Sequence, residues 1–361
     1  MAPPAPADQT YAREVAHDLA RRTLELVDIP SVSRDEAEAH AYVESVVPLP
    51  LAYRSPEALL YCAVRTGRPL VLFAGHLDTV PAQGNLPGRI EDGSVVGLGA
   101  SDMKGGVAVM VELARWVAEE RPALAADPAF LFFTREEVAI EESPLPEVFA
   151  AAPLVRESAL VVVLEPTDNA LHLGCVGSIN ASLTFEGVSA HSARPWQGVN
   201  AIAKAVEGLA PIVALEPRRV EVAGLEFSEV LSVTQIRGGV ADNVVPALVE
   251  CRLNFRYAPG RTPADAEARL LELAPGARIE TNSPAAHVPA GSPLLERLRE
   301  AGGFELLPKQ AWTPVAQFAA EGLDAVNLGP GATRYAHQRD ERVEIAELER
   351  TFEALRRFLA A

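Results

Sequence analysis

Short apolar segments in the first half of the chain end in residues that can bind a metal ion or transfer a proton. The segments that carry them read GHLDTVP, GLGASDMKGG, TREE and LEP. The residues are His76, Asp78, Asp102, Glu136, Glu137 and Glu165. A lone histidine or aspartate in such a place is more often an ordinary loop residue, but the same chemistry at four strand ends favours one shared site. One histidine with several carboxylates suits zinc or a similar divalent ion.

The spacing of His76 and Asp78 has a physical meaning of its own. Alternation along an extended strand places residues i and i+2 on the same side. The Asp78 carboxylate can then hold the ring N–H of His76 that faces away from a metal. Such a contact fixes the tautomer of the histidine and raises its basicity as a ligand.

The elements that must position these residues are short apolar runs separated by helical patterns. PLVLFAG (69–75), AFLFFT (129–134) and ALVVVL (159–164) show no polar alternation, which is typical of strands covered on both faces. Residues 104–119 place their apolar side chains on one helical face. Further helical patterns occupy 10–27, 293–301, 314–321 and 344–360, around a strand-like AVNLG at 325–329. These patterns predict a layered α/β domain.

The middle of the sequence has a different hydrophobic pattern. SINASLTFEG (178–187), EVLSVTQIRG (229–238) and ALVECRLNFRY (247–257) alternate apolar and polar residues, as half-exposed antiparallel strands do. Helical patterns at 198–213 and 262–274 and a short strand at 277–281 complete the order β-α-β-β-α-β, the ferredoxin-like unit. We therefore predict a discontinuous catalytic domain, 1–176 and 288–361, with an inserted α+β domain at 177–287.

Composition excludes several functional classes. The chain has 361 residues, 48% of them apolar, and a formal net charge of −17, which disfavours nucleic acid or an anionic membrane as partner. The three cysteines, Cys62, Cys175 and Cys251, are scattered as in a reduced cytoplasmic protein. We expect no signal peptide and no transmembrane helix, because the N-terminus lacks a basic region and no apolar run reaches 18 residues.

Several longer motifs in the sequence resemble those of a known protein family. GHLDTVP, DMKGG, T-x-EE, EPT, GVSAHSARPWQGVNA, GGVADNVVP and GPG…AHQRDE occur in the order typical of the dinuclear zinc aminoacylase and carboxypeptidase family. They span the chain from about residue 24 to its C-terminus. The chain thus resembles that family of metallopeptidases, and most closely its desuccinylase branch of the actinobacterial type. The resemblance implies the layered zinc-peptidase fold with an inserted dimerisation or lid domain.

The resemblance also implies a role for each metal-site residue. Two divalent ions, Zn²⁺ with Co²⁺ or Mn²⁺ as alternatives, would be bridged by Asp102, whose following peptide bond would be cis. His76 and Glu165 would complete one ion, and Glu137 and His337 the other. Asp78 would orient His76, and Glu136 would be the general acid/base. Glu141 and Glu142, by contrast, are predicted to be solvated loop residues before Pro144, or at most acids that support the metal ligands without binding an ion.

The resemblance implies further roles for three residues of the predicted inserted domain and for Thr313, which follows it. His191 would reach the active site of the partner in a homodimer and stabilise the oxyanion, although a surface loop histidine is the plainer interpretation. Asn243, Arg256 and Thr313 would contact the carboxylates or acyl group of the substrate. Arg256 could also be a sheet residue whose charge is solvated or paired. Cys175 stands where better-known desuccinylases carry an arginine.

These roles imply amide hydrolysis. Glu136 takes a proton from a water held by two ions, the resulting hydroxide attacks the amide carbonyl, and Glu136 protonates the leaving amine. The implied reaction removes succinate from N-succinyl-LL-2,6-diaminopimelate on the route to lysine and cell-wall peptide. A related deacylase acting on acetylornithine or another N-acyl amino acid, or a dipeptidase or carboxypeptidase, is the alternative. A non-catalytic binding protein on the same scaffold would require a lost ligand or base, and none is missing.

Overall fold

The computed structural model describes the backbone of residues 6–361, with side chains from residue 14 onward. The helices of this part of the chain are α1 (Pro6–Asp28), α2 (Ala37–Val46), α3 (Gly105–Glu120), α4 (Leu145–Ala151), α5 (Ala201–Val213), α6 (Pro263–Leu273), α7 (Pro293–Gly302), α8 (Val315–Ala320) and α9 (Ile345–Leu359). Among the described residues, no helix combines the length and the apolar character that crossing a bilayer requires.

The strands are shorter on average in the first third of the chain than in its middle. They are β1 (Leu51–Arg54), β2 (Ala58–Cys62), β3 (Leu70–His76), β4 (Arg89–Glu91), β5 (Ser94–Val96), β6 (Asp127–Phe133), β7 (Ser158–Val163), β8 (Leu171–Leu173), β9 (Gly177–Glu186), β10 (Ala190–His191), β11 (Arg218–Val222), β12 (Leu225–Gly238), β13 (Val244–Val245), β14 (Leu248–Tyr257), β15 (Arg278–Ser283), β16 (Leu306–Pro308), β17 (Ala325–Asn327) and β18 (Arg342–Glu344).

The chain divides into two compact units. The first, here called unit 1, comprises Met1–Leu173, Pro289–Leu307 and Gln317–Ala361. The second, unit 2, comprises Gly174–Val288 and Pro308–Ala316. Unit 2 therefore lies within the sequence of unit 1, and each unit has its own sheet.

Unit 1 is built on a mixed sheet whose centre is parallel and buried. The strand order is β1-β2-β6-β3-β7-β17-β8-β16, with β3 parallel to both β6 and β7, and β7 parallel to β17. Every residue of β3 and β6 is buried. Strands that are covered on both faces need apolar side chains at every position, which explains the unbroken apolar runs in the sequence. A layer formed by α1, α3 and α9, which pack on one another, supports the sheet, and α3 contacts β3 and β6.

Unit 2 has the topology that its alternating strands predict. β9, α5, β12, β14, α6 and β15 follow one another as β-α-β-β-α-β, and the sheet order is β11-β12-β14-β9-β15. All pairings are antiparallel, and β14 alternates exposed and buried residues along its length. The helices cover the apolar face, whose core includes Phe255 and Tyr257. The predicted fold class, a layered α/β domain with a ferredoxin-like insert, is confirmed.

Candidate metal centre

Three neighbouring parallel strands bring most of the predicted site residues together. His76 is the last residue of β3, Glu136 and Glu137 follow β6, and Glu165 lies two residues beyond β7. Because β3 lies between β6 and β7 and runs parallel to both, the three carboxyl ends meet at one edge of the sheet. Open α/β sheets present ligands at this edge, where the order of the strands changes direction.

A tight turn delivers Asp102 to the same edge. The turn Ala100–Lys104 directly precedes α3, and the Asp102–Met103 peptide bond is cis, as predicted. Gly99 enters the turn with φ of +77°, which a residue with a side chain rarely adopts. A Cβ on Gly99 would also meet the Thr79 side chain at 2.7 Å, so the turn requires glycine there.

Asp102 lies between two histidines that come from distant parts of the chain. Its Oδ1 is 3.2 Å from His76 Nε2, and its Oδ2 is 3.6 Å from His337 Nε2. Glu165 Oε1 lies 3.9 Å from His76 Nε2, and Glu137 Oε1 lies 2.9 Å from His337 Nε2. The arrangement therefore forms two ligand groups that share one carboxylate.

Each group has the donors and the spacing of a divalent metal site. Within each, one nitrogen or oxygen atom per residue lies within 4.8 Å of the others. The groups are His76, Asp102 and Glu165, and Asp102, Glu137 and His337. The two groups together contain three carboxylates and two histidines, so they keep a net negative charge even with both rings protonated, and divalent cations would offset the repulsion. Imidazole with carboxylate is a donor set that zinc and similar ions accept.

Asp78 has a wider role than its predicted one. His76 Nδ1 is 3.0 Å from the backbone oxygen of Asp78 and 3.5 Å from its carboxylate, so the main chain makes the closer contact. The carboxylate accepts the N–H groups of Glu136 and Glu137, both at 3.0 Å, and the Ser33 hydroxyl at 2.7 Å. Burial favours a higher pKa, but His76 and then the Glu137 and Glu136 N–H groups outweigh it and lower the pKa of Asp78 to about 2.

The turn that follows β6 gives its two glutamates, Glu136 and Glu137, different contacts. Arg135 has φ of +59°, which turns the backbone so that the next two N–H groups face Asp78. Glu137 contacts His337, whereas Glu136 is grouped with His76 and Glu137 and lies outside both groups that contain Asp102. Burial raises the pKa of Glu136, and His76 only partly opposes that effect. A carboxylate with a raised pKa is suited to accept and return a proton.

His337 is the most exposed member of the cluster, with 51% of its side chain accessible. Its backbone has φ of +61°, and its carbonyl accepts the Gln83 side-chain N–H at 3.0 Å. The Arg342 guanidinium stacks on the ring of nearby Tyr335 at 4.0 Å and so fixes the segment that carries His337. The hydrogen bond with Glu137 raises the pKa of His337 to about 9.

Glu141 and Glu142, which follow Glu136 and Glu137 in the segment FTREEVAIEE (133–142), lie apart from the cluster. Glu141 is exposed, and Glu142 makes a bidentate ion pair with Arg34 at 2.7 and 2.6 Å. Glu142 is therefore a partly exposed partner of Arg34 rather than a fully solvated residue. Neither glutamate belongs to a group of potential metal ligands among the described residues.

His191 and Asn243 lie side by side in unit 2. The short strands β10 and β13 pair so that His191 faces Val244, and the Ser192 N–H donates to the Asn243 backbone oxygen at 2.9 Å. His191 and Asn243 are both exposed. The Ala193 N–H donates to His191 Nδ1 at 3.1 Å, so in the neutral ring the proton sits on Nε2. His191 therefore presents an N–H donor.

Arg256 lies on the polar face of the unit 2 sheet, at the carboxyl end of β14. Its Nε donates to Asn254 Oδ1 at 2.8 Å, and its cross-strand neighbours are Ser178 and Val230. Within the described part of the chain, no carboxylate lies within ion-pair distance of its guanidinium. Burial lowers the pKa of Arg256. A half-buried arginine without a carboxylate partner is well placed to receive an anion.

Thr313 and Cys175 are buried neighbours elsewhere in unit 2. Thr313 is 4% exposed, and its hydroxyl is one of the buried polar atoms without a hydrogen-bond partner among the described residues. The Cys175 sulfur lies 4.0 Å from the Thr313 carbonyl oxygen, and burial raises the pKa of this thiol. The structure therefore brings His191 to Asn243 and Thr313 to Cys175.

One residue of the site escaped sequence analysis. Glu341, in the motif AHQRDE, is 1% exposed and accepts the N–H groups of Gly99, Ser101 and Asp102 at 2.9, 3.1 and 3.0 Å. Burial raises the pKa of Glu341 to about 7 against the effect of these N–H groups. Its neighbours in sequence are polar, so no pattern indicated that this acid is buried.

Comparison with known families identifies the class of protein. Residues 72–361 match the model of peptidase family M20/M25/M40, and the chain belongs to this family. The match covers the whole candidate metal centre and all of unit 2. The resemblance that the motifs predicted is confirmed.

Two similar proteins carry more particular names. A candidate succinyl-diaminopimelate desuccinylase, DapE, of Mycobacterium tuberculosis is 36% identical over 345 residues, 93% of this chain and 96% of its own. A succinyl-diaminopimelate desuccinylase of Corynebacterium glutamicum is 33% identical over 354 residues, 94% of this chain and 95% of its own. Both matches extend over nearly the whole length of this chain and of the relative.

Solved structures share the fold at lower sequence identity. The aminopeptidase PepT of Bacillus cereus gives a TM-score of 0.75 at 21% identity, over 95% of this chain and 98% of its own. YxeP of Bacillus subtilis, described as a dinuclear metal-binding peptidase of the M20 family, gives 0.68 at 15% identity, over 96% and 98%. These likenesses support the two-unit α/β architecture.

Proposed function

We propose that the protein is a dinuclear-metal amide hydrolase that removes succinate from N-succinyl-LL-2,6-diaminopimelate. The observation that carries this proposal is the position of Asp102, whose two oxygens face His76 and His337 at 3.2 and 3.6 Å. Family membership and the names of the Mycobacterium and Corynebacterium relatives support the choice of substrate. The reaction would serve lysine and diaminopimelate synthesis in the cytoplasm.

The residues fit two divalent cations, with Zn²⁺ as the first choice and Co²⁺ or Mn²⁺ as alternatives. His76, Asp102 and Glu165 would hold one cation, and Asp102, Glu137 and His337 the other. When bound, the cations would activate a water and polarise the amide carbonyl. They would also offset the charge of carboxylates that lie within a few ångströms of one another.

Glu136 would move the proton. Its carboxylate would accept a proton from the attacking water and return it to the leaving amine. Burial raises the pKa of Glu136, which helps it hold that proton between the two steps. Asp78 would act by position, because it fixes both His76 and the backbone N–H of Glu136.

The residues of unit 2 would select the substrate. The Arg256 guanidinium suits a carboxylate, and the Thr313 hydroxyl and Asn243 amide would add neutral hydrogen bonds. N-succinyl-diaminopimelate has carboxylates on both its acyl and its amino-acid parts, so it offers anions that an arginine can bind. The His191 Nε2–H would stabilise the oxyanion in the partner subunit of a homodimer.

Two features of unit 2 support dimerisation through the inserted domain, 177–287. β11 pairs only with the first part of β12, so Val230–Gly238 has no partner strand on that side in the described chain. Exposed apolar residues lie along the neighbouring helix α5 and on β12: Ile202, Val206, Val213 and Ile236. An unpaired edge beside an apolar helix face is a surface that a second copy could cover. Sedimentation velocity would test whether the protein is a dimer.

A substrate panel tests the proposed reaction. The metal-loaded protein is assayed with N-succinyl-LL-diaminopimelate, N-acetylornithine, other N-acyl amino acids and dipeptides. We expect kcat/KM for the succinyl substrate to exceed the others by at least about tenfold, the value of one or two charged hydrogen bonds. Turnover of acetylornithine or a dipeptide without turnover of the succinyl substrate would contradict the assignment. Full metal loading without any turnover would favour a binding protein.

A further inference from the structure

We infer that Glu341 is a positioning residue that sets the affinity of the metal group formed by Asp102, Glu137 and His337. The inference rests on the proposed dinuclear site and concerns a residue that touches neither cation nor substrate. Glu341 lies four positions after His337, and its side chain reaches the turn that carries Asp102. It therefore joins the two segments that supply the shared carboxylate and the second histidine.

Glu341 holds the turn that carries Asp102 through both its side chain and its main chain, and we call this set of contacts the clamp. The Glu341 carboxylate accepts three backbone N–H groups, from Gly99, Ser101 and Asp102, at 2.9 to 3.1 Å. Its own carbonyl accepts the Gly97 N–H at 2.9 Å, so main chain and side chain hold the same turn. Charge-assisted hydrogen bonds of this kind are roughly twice as strong as neutral ones. The turn that presents Asp102 is therefore held by one side chain from another part of the chain.

The clamp acts unequally on the two ligand groups. In the group with Glu137, two of three ligands, Asp102 and His337, lie on the segments that Glu341 joins. In the other group only Asp102 does, because His76 and Glu165 lie at the ends of β3 and β7. Loss of these Glu341 contacts should therefore weaken binding of the cation at Asp102, Glu137 and His337 more than binding of the other cation. A merely structural residue would lower stability without this preference.

The test is a Co²⁺ titration of the full-length protein, followed by visible absorption and by metal analysis. Glu341→Gln keeps one acceptor oxygen but turns an amide N–H₂ toward one of the three N–H donors. Outer-shell partners of metal ligands typically contribute 10–100-fold to metal affinity, and we expect a loss of that size for the second Co²⁺ equivalent. The first equivalent should change by less than about threefold, since its other ligands stay in place.

A matched control exists at the other end of the sheet. Asp127, 1% exposed at the start of β6, accepts the Thr66 N–H at 2.8 Å and the Thr66 hydroxyl at 2.6 Å. Asp127→Asn disturbs a buried carboxylate of the same kind, but six residues before the strand reaches the site. It should lower the unfolding temperature and leave both Co²⁺ equivalents unchanged.

The outcomes separate the inference from the proposed function. Two Co²⁺ equivalents in Glu341→Gln with wild-type affinities, or an equal weakening of both, would overturn the role of Glu341. Wild-type protein that binds fewer than two ions would overturn the dinuclear site itself, and the inference with it. If Glu341→Gln does not fold, Glu341→Asp, which keeps the charge and shortens the reach by one methylene, replaces it with the same expected order of effects.

Discussion

The buried Glu229 of unit 2 and the acids of the unit 1 cluster have different partners. In unit 2, Glu229 is 3% exposed at its side chain and is held by Arg261 at 2.6 and 3.1 Å and by Arg218 at 3.3 Å. In unit 1, four carboxylates, Asp102, Glu136, Glu137 and Glu165, gather around only two histidines. The protein supplies arginines where an acid stabilises the fold and leaves an excess of negative charge where it presents ligands.

This difference indicates which part of the reaction each unit would serve. The unit 1 cluster has the donors for cations and a candidate proton carrier, but its carboxylates outnumber its two histidines, so it does not attract an anionic substrate by itself. Unit 2 contains Arg256, which has no carboxylate within ion-pair distance in the described part of the chain, and Thr313, whose hydroxyl has no hydrogen-bond partner among the described residues. Changes in unit 1 should therefore alter chemistry or metal content, and changes in unit 2 should alter selectivity or stability.

The largest expected effect comes from Glu136→Gln. The substitution removes the proton acceptor and keeps the shape of the side chain, so kcat should fall by about 10²–10⁴-fold. Metal content should stay at the wild-type value, because Glu136 lies outside both groups that share Asp102. Steady-state kinetics and metal analysis on the same preparation measure both quantities.

Glu141→Gln is the matched control for this change, five residues further along the same segment. Glu141 is exposed and outside the cluster, so kcat should be unaltered. Retained turnover in Glu136→Gln would remove this residue from the proton-transfer role. Loss of metal in that variant would instead make it a ligand, which its place in the group with His76 and Glu137 allows.

The next largest effect is expected for Arg256→Gln in unit 2. Hydrogen bonds to charged groups contribute about 1.5–3 kcal/mol, so kcat/KM for N-succinyl-diaminopimelate should fall by about 10–100-fold. Metal content should not change. Arg252→Gln, on the same face of the same strand but paired with Glu280, is the control and should stay within about threefold. Equal losses in both variants would contradict a specific anion site at Arg256.

The smallest expected effect concerns the structural acid of unit 2. Glu229→Gln breaks the pairing with Arg261 and should lower the free energy of unfolding by about 2 kcal/mol at neutral pH. Burial opposes ionisation, but Arg261 and the Ala258 N–H lower the pKa of Glu229 below its usual 4.5. The stabilisation is therefore present above pH 4.5 and is lost as the pH falls through the lower, folded-state pKa.

Thermal unfolding at several pH values measures this difference. The gap between wild type and Glu229→Gln should be widest at neutral pH and should close in acid. Glu226→Gln, which loses only an exposed pair with Arg219, should cost well under 1 kcal/mol. A gap that stays constant down to strongly acidic pH would show that the charge of Glu229 is not what stabilises unit 2.

Sequence patterns predicted the elements that have clear periodicity. The unbroken apolar runs correspond to β3, β6 and β7, and the alternating runs to β9, β12 and β14, because burial on two faces or on one dictates those patterns. The short strands β8, β10 and β13 show no period and were not predicted, whereas the apolar run AVNLG did predict the three-residue β17. Their positions follow from pairing with distant strands, which local sequence does not encode.

The site was predictable in its residues and less so in its supporting contacts. The pattern of strand ends indicated His76, Asp102, Glu136, Glu137 and Glu165, and the family motifs added His337. His76 Nδ1 contacts the Asp78 main chain more closely than its carboxylate, and that carboxylate accepts two N–H groups that the turn at Arg135 directs toward it. Such contacts arise from backbone geometry, so residue types alone could not reveal them.

The dinuclear site is tested most directly by anomalous diffraction from crystals grown with Zn²⁺, recorded on both sides of the zinc absorption edge. We expect two peaks in unit 1 about 3.5–4 Å apart, the usual separation in two-metal sites. Asp102 should lie between them, with His76 and Glu165 at one peak and Glu137 and His337 at the other. A single peak, or two peaks without a shared Asp102 carboxylate, would contradict the dinuclear site.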